Sequence, residues 1–203
     1  MSFDGPIVLK LGGSLYDLPD LATRLGQFLA SLNDGRVVLV PGGGALADVV
    51  RHFDEIHQLG EEAAHWLALR AVSLNAFFIS RLLAERRTSI VATAAACAEA
   101  WRHDTVPILD AYRFATEDDG RPGCLHHCWR AGTDCLALRV AALFAAKSLI
   151  LLKSRTIAEN STWHEAARSR RVDALFPQTL AENAAALASS FQIASINLRE
   201  WQP

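Results

Sequence analysis

Ile7-Val8-Leu9-Lys10-Leu11-Gly12-Gly13-Ser14 decides how the rest of the chain is read. Four aliphatic residues surround one lysine, and two glycines stop the run. A run of that length and ending reads as a buried strand entering a tight turn. The lysine is the anomaly, because a charged group is rarely buried without a partner. Near the carboxyl end of a strand in an open α/β sheet, it stands where such sheets bind ligands. Gly12 and Gly13 let backbone N–H groups approach an anion, and Ser14 is placed to cap a following helix. Nests of this kind and helix N-termini attract phosphate. An ordinary glycine turn beneath a snorkelling lysine fits the same letters, so the stretch alone does not choose.

Working outward, residues 18–32 carry Leu18, Leu21, Ala22, Leu25, Phe28, Leu29 and Leu32 at helical spacing. Asn33-Asp34-Gly35 breaks that helix, and Arg36-Val37-Val38-Leu39-Val40 is a second strand. Strand, helix and strand joined by short connections form a βαβ unit, with parallel pairing and a right-handed crossover. This second strand also ends in glycine, as Pro41-Gly42-Gly43-Gly44, with a helix from Ala45. Ordering three glycines costs roughly 1 kcal/mol each against alanine, so a close approach of backbone to something is expected there. Both turns would open on one edge of the sheet and face one crevice.

Residues 61–87 read as a long helix containing His65, Trp66, Arg70 and Asn75. His65 and Trp66 fit either a helix surface packed on a neighbour or the wall of an acceptor pocket. Ser89-Ile90-Val91-Ala92-Thr93 and Thr105-Val106-Pro107-Ile108-Leu109 are further strands around a small helix at residues 94–101. Residues 112–128 are polar and punctuated, which predicts a surface loop or hairpin. That stretch holds Cys124, His126, His127 and Cys128. Sulfur and imidazole at close spacing invite a zinc reading, but no second ligand pair lies at finger-like spacing, and free thiols with loop histidines are the simpler expectation, with no metal site assigned.

Thr133-Asp134 precedes an alanine-rich helix through residue 146, and Ser148-Leu149-Ile150-Leu151-Leu152-Lys153 is a strong strand. Asp134 fits an ordinary acidic residue at a helix start. Lys153, however, repeats the oddity of Lys10. Two lysines at strand ends and one carboxylate could meet above one sheet. Beyond them come a loop and short helix with Arg168, Arg170 and Arg171, a connection at residues 172–177, a helix at 178–190 and a last strand at 191–198. No repeat, linker or low-complexity tract divides residues 1–203, so one domain is expected.

With 51% hydrophobic and 21% charged residues, the composition is that of an ordinary globular protein. A net charge of −2 disfavours a nucleic-acid partner held by bulk charge. The N-terminus lacks a basic-then-apolar leader, and no apolar run has membrane-spanning length. The expectation is a soluble, cytoplasmic protein with reduced cysteines, no membrane partner and, from the common prior, a homo-oligomer.

The set Lys10-Leu11-Gly12-Gly13-Ser14, Gly42-Gly43-Gly44 and Thr133-Asp134, continuing to Lys153, resembles the amino acid kinase family in the order of its motifs across nearly the whole chain. That resemblance implies a three-layer αβα sandwich with a mainly parallel central sheet, and phosphoryl transfer from ATP with Mg2+. It further implies that Lys10 and Lys153 bind the transferring phosphate and that Asp134 orients them. Gly12, Gly13 and Ser14 would line the nucleotide phosphates, and Gly42, Gly43 and Gly44 the acceptor. Within the family, Gly42-Gly43-Gly44-Ala45-Leu46-Ala47-Asp48-Val49-Val50-Arg51 with Ala64-His65-Trp66-Leu67-Ala68-Leu69 looks most like the branch that phosphorylates aminomethylfuran methyl phosphate, a phosphomonoester, in methanofuran-type cofactor synthesis. On that similarity Arg51 and His65 are acceptor-side candidates. Uridylate- and acetylglutamate-type kinases are the alternatives. Family members commonly carry a Val-Asp-Gly type turn after the strand that ends at Lys153, whereas this chain reads Ser154-Arg155-Thr156-Ile157-Ala158-Glu159-Asn160. A non-catalytic member that binds a metabolite or nucleotide is the reading which that departure motivates.

Overall fold

A computed structural model describes residues 5–32 and 36–203. Among them, six strands form one sheet: β1 (Ile7–Leu11), β2 (Val37–Pro41), β3 (Thr88–Val91), β4 (Val106–Leu109), β5 (Ser148–Lys153) and β6 (Gln192–Asn197). Their order is β3-β4-β2-β1-β5-β6, and every pairing is parallel. Helices α1 (Leu21–Ser31), α2 (Gly44–His57), α3 (Glu61–Leu82) and α4 (Ala94–Arg102) come from the first half of the chain. From the second come α5 (Ala111–Asp118), α6 (Thr133–Leu143), α7 (Trp163–Arg168) and α8 (Phe176–Asn183). The expected break at Asn33-Asp34-Gly35 lies outside the described residues.

Parallel strands covered on both faces read as continuous apolar runs, and β1 and β2 are buried throughout. Side-chain alternation then sorts them into two layers. On one face Val8, Val38, Val40, Leu149 and Leu151 pack with Leu136, Val140 and Phe114. On the other, Ile7, Leu9, Leu11, Val37 and Leu39 pack with Leu21, Leu25 and Phe28 of α1 and with Ala76 and Ile79 of α3. The result is the three-layer αβα sandwich. The same alternation puts Lys10 on the side of Val8, and Lys153 on the side of Leu149 and Leu151. Both strands therefore send their lysine toward the layer that contains α6. Chain order reverses at β1, which pairs with β2 on one edge and β5 on the other. In open α/β sheets, the crevice at the carboxyl ends beside such a switch point is where ligands bind.

Three expectations need correction. Residues 112–128 begin as a helix, α5, and not as a loop or hairpin. Ala111, Phe114 and Ala115 supply a buried stripe at helical spacing, and the Asp110 side chain accepts from Arg113 N to cap the start. The long helix stops at Leu82, five residues before the expected end, and the last helix stops at Asn183, where Ala184–Ala186 tighten into a 3-10 turn. At Asn183 the side-chain amide turns back to donate to Gly123 O and Thr179 O.

The α6 helix is buried from Asp134 to Ala142, including Arg139. The Arg139 guanidinium makes two bonds of 2.7 Å to the Asp118 carboxylate and a third of 2.7 Å to Asn183 Oδ1. Each side chain of the ion pair is only 5% exposed, so removing one partner strands a charge in the core. Arg139→Ala should lower stability by about 3–5 kcal/mol in urea denaturation. The double variant Arg139→Met/Asp118→Asn should recover a large part of that loss, because neither charge is then left alone.

Candidate active site

Lys10 Nζ lies 2.8 Å from Asp134 Oδ1, and Lys153 Nζ lies 2.5 Å from Asp134 Oδ2. One carboxylate thus bridges two ammonium groups that arrive from neighbouring strands. The three side chains are 6%, 12% and 3% exposed for Lys10, Lys153 and Asp134, so the cluster is almost dry. Burial alone would push the Asp134 carboxyl up. The two lysines outweigh it and hold the group down, at about 2. Burial and the like charge of Lys10 pull the Lys153 ammonium below its ordinary value. Asp134 also stands in the first turn of α6, where the helix dipole favours a negative group.

The first glycine turn continues from β1. Gly12 N donates to Leu152 O of β5 at 2.9 Å, and Gly13–Leu15 form a 3-10 turn. The second turn lies against it. A Cβ on Gly13 would fall 2.1 Å from Gly44 N, and one on Gly42 would fall 2.2 Å from Gly13 N. Only backbone without side chains approaches that closely, which is the physical need behind the two runs of glycine. Gly44 adds a left-handed φ of 54°. Tyr16 and Asn75 fasten the pair together: the Tyr16 hydroxyl donates to Gly42 O and accepts from Gly42 N, while Asn75 Nδ2 donates to Gly42 O and Gly43 O.

Two cavities meet at this seam. The larger, about 390 Å³, is lined by Gly43, Gly44, Arg51, His65, Trp129 and Asp173 among others, and the smaller, about 140 Å³, by Lys10, Gly12 and Lys153 among others; Gly13 and Ser14 line both. Arg51 and His65 therefore share the larger cavity with Gly43 and Gly44. Gly42 sits behind them, bonded to Tyr16 and Asn75. The Arg51 guanidinium lies 4.6 Å above the Trp129 ring, which in turn donates to Asp54. His65 is 5% exposed, with Nε2 unpartnered, and stacks on His127 at 4.9 Å. Burial, reinforced by His127, lowers its pKa to about 4, so the ring is neutral near pH 7. Trp66 packs edge-on against Tyr112 and His127.

His126 pairs with Glu182, and His127 with Asp119. Cys124 and Cys128 are free thiols. Among the described residues, no group of three or more His, Cys, Asp or Glu side chains is placed to hold a metal ion.

Tyr16, Asn75 and Asp173 carry no motif, yet they hold the site together. Asp173 Oδ2 accepts from Asp134 N at 2.7 Å and Cys135 N at 3.1 Å, while Asp173 N donates to Asp134 Oδ2 at 3.2 Å. A remote carboxylate thus caps the start of α6. Gly132 has to be glycine beside it, since a Cβ there would sit 2.6 Å from Asp173 Oδ1. The signals available in the sequence were an asparagine inside an apolar helical stretch and an acid inside Val172-Asp173-Ala174-Leu175.

The chain belongs to the amino acid kinase family, whose model matches residues 5–155. A similar protein is the [5-(aminomethyl)furan-3-yl]methyl phosphate kinase of Methanocaldococcus jannaschii, 37% identical over 68 residues. That match covers 33% of this chain and 31% of the relative, so the chain spans less than a third of that protein's length in it. Similar solved folds include the uridylate kinase of Archaeoglobus fulgidus, with a TM-score of 0.60 at 16% identity over 88% of this chain and 87% of that one. The UMP kinase of Ureaplasma parvum has a TM-score of 0.66 at 15% identity, over 97% and 91% of the two chains. That of Bacillus anthracis has 0.67 at 12%, over 97% and 88%.

Burial and the neighbouring Asp134 charge raise the Asp173 carboxyl to about 6. A carboxyl raised above its free value near 3.9 contributes stability that is complete below about pH 4 and lost as pH rises through 6. Asp173→Asn cannot titrate. The stability of wild type minus that of Asp173→Asn should therefore fall between pH 4 and 6 and level off above 7, read by urea denaturation at fixed pH steps. Asp134, held at about 2, acts below that window, while His65, which titrates inside it, cancels in the difference. A flat difference would contradict the burial of this carboxylate beside Asp134.

Proposed function

We propose that this protein is an ATP-dependent phosphotransferase whose acceptor is a small phosphomonoester, of the kind exemplified by aminomethylfuran methyl phosphate. The observation that carries the reading is the junction of two cavities at Gly13 and Ser14, with Lys10 and Lys153 beside it. Phosphoryl transfer demands in-line positioning and neutralisation of charge spread over equatorial oxygens, more than a covalent nucleophile. The smaller cavity suits the donor phosphates. Lys10 and Lys153, kept apart and oriented by Asp134, would follow the phosphoryl group as charge shifts onto it. Amide groups of the two glycine turns would hold oxygens from either side. Mg2+ would be carried on the oxygens of the donor, since Asp134 and Asp173 already have cationic or N–H partners.

The larger cavity suits the acceptor. Its volume of about 390 Å³ fits a small metabolite, and Arg51 offers a planar fork for phosphate or carboxylate. A neutral His65 would donate or accept one hydrogen bond without adding charge. The short match to the methanofuran-precursor kinase supports a phosphomonoester over a carboxylate. The stripe Leu46, Val49, Phe53 and Ile56, left exposed on α2, supports a homo-oligomer. No helix among the described residues is long and apolar enough to cross a membrane.

With Mg-ATP and a panel of phosphomonoesters, ADP release should identify an acceptor. Lys10→Ala and Asp134→Asn should then each lower kcat by about 10²–10³, the usual scale for one electrostatic contact to the transition state. Near-normal turnover in Asp134→Asn would overturn the assigned roles. Arg51→Ala should raise KM for the acceptor with a smaller change in kcat. Calorimetric binding of ATP with no transfer to any acceptor would establish instead a binding member of the family.

A further inference from the structure

The smaller cavity has a second set of cations that no family motif contains. Arg155 follows β5, and Arg170 and Arg171 follow α7; all three line the cavity together with Lys10, Lys153 and Ser154. Arg170 and Arg171 stand well past residue 155, where the family match ends. Five cationic side chains thus surround a space of about 140 Å³, and its lining is otherwise glycine and serine. The lysines share Asp134. The three arginines have no carboxylate partner among the described residues, so their charge is unspent within the chain.

The backbone is shaped to deliver them. Just past α7, Arg170 lies in the left-handed region at φ 55°, a place that normally takes glycine, and the turn is closed by Arg170 N donating to Ala167 O and Arg171 N to Ala166 O. Across the cavity, the Ser14 and Ser154 hydroxyls bond at 2.8 Å and tie the turn after β1 to the turn after β5, beside Arg155.

We infer that Arg155, Arg170 and Arg171 form a clamp on the polyphosphate chain of the donor, so that the donor is selected by its phosphates and only weakly by its base. This deepens the donor side of the phosphotransfer reading and rests on it. Guanidinium forks suit the paired non-bridging oxygens of successive phosphates. Nothing in the lining offers a flat apolar surface on which a base would stack. The clamp occupies the region where the family's Val-Asp-Gly type turn is replaced by Ser154-Arg155-Thr156, which makes the substitution a change of donor recognition and not a loss of it.

The test is calorimetric titration of the full chain with inorganic triphosphate, ATP, GTP and inorganic phosphate, with no acceptor present. Inorganic triphosphate should bind within about tenfold of ATP and GTP, far more tightly than inorganic phosphate, and weaken steeply with salt. The double variant Arg170→Gly/Arg171→Ala should lose at least tenfold in triphosphate affinity. Arg170→Gly alone should keep or raise the melting temperature, because glycine prefers that backbone, and still bind more weakly; misfolding is thereby separated from lost recognition. Unchanged triphosphate affinity in the double variant would overturn the clamp, as would ATP binding over a hundredfold tighter than both triphosphate and GTP. If triphosphate binds as expected but no acceptor is ever phosphorylated, the clamp stands and the kinase reading falls.

Discussion

Asp134 between Lys10 and Lys153 is the constraint on which the rest of the site depends. Burying a lone ammonium is costly, and burying two side by side is worse, so each lysine is tolerable only because one carboxylate reaches both. The cluster nevertheless keeps an excess of positive charge, and burial has already drawn Lys153 below its ordinary value. A dianionic phosphoryl group would relieve that imbalance. On the phosphotransfer reading, holding two cations in a nearly dry crevice would also favour a phosphate there.

This arrangement follows from strand alternation and helix placement together. Lys10 stands two residues after Val8, and Lys153 two after Leu151, so both share a face with core residues packed against α6. Shifting either strand by one position would send its lysine to the opposite layer, among Leu11 and Leu152. The Leu11↔Leu152 register fixes the relative height of the two strand ends. Asp173, by capping α6 from a distant segment, fixes the height of Asp134. Charge pairing, register and cap must all agree for the three side chains to meet, which is why the core and the site cannot vary independently.

The strands and the lysine–glycine turns were legible because each leaves a local signature: a charge in an apolar run, or glycines where a chain must pass close to another. Gly13 and Gly44 in near backbone contact supply the physical reason for that signature. α5 was not legible because half of its eight residues are polar, and only the Ala111, Phe114 and Ala115 stripe, with the Asp110 cap, turns it inward. Asp118 at its end falls within the expected surface loop, whereas it answers Arg139 in the core. Asp173 and Asn75 were hidden for a related reason: a polar residue that serves backbone groups far away in sequence has no spacing rule to reveal it.

The segment beyond the family match is the least regular part of the chain, yet it returns to the site from two directions. Asp173 reaches the start of α6. From the C-terminal side, Arg199 donates to Ser14 O and pairs with Asp17, steadying the 3-10 turn that follows β1. Arg24 on α1 adds bonds to the carbonyls of Leu198, Arg199 and Trp201, which holds that segment against the sheet. Parallel sheets leave the crevice at their carboxyl ends open, and loops must close it. Around the smaller cavity the closing is done by Ser154, Arg155, Arg170 and Arg171, so there the glycine turns and strand-end lysines supply the floor while these later residues set the wall and most of its spare positive charge.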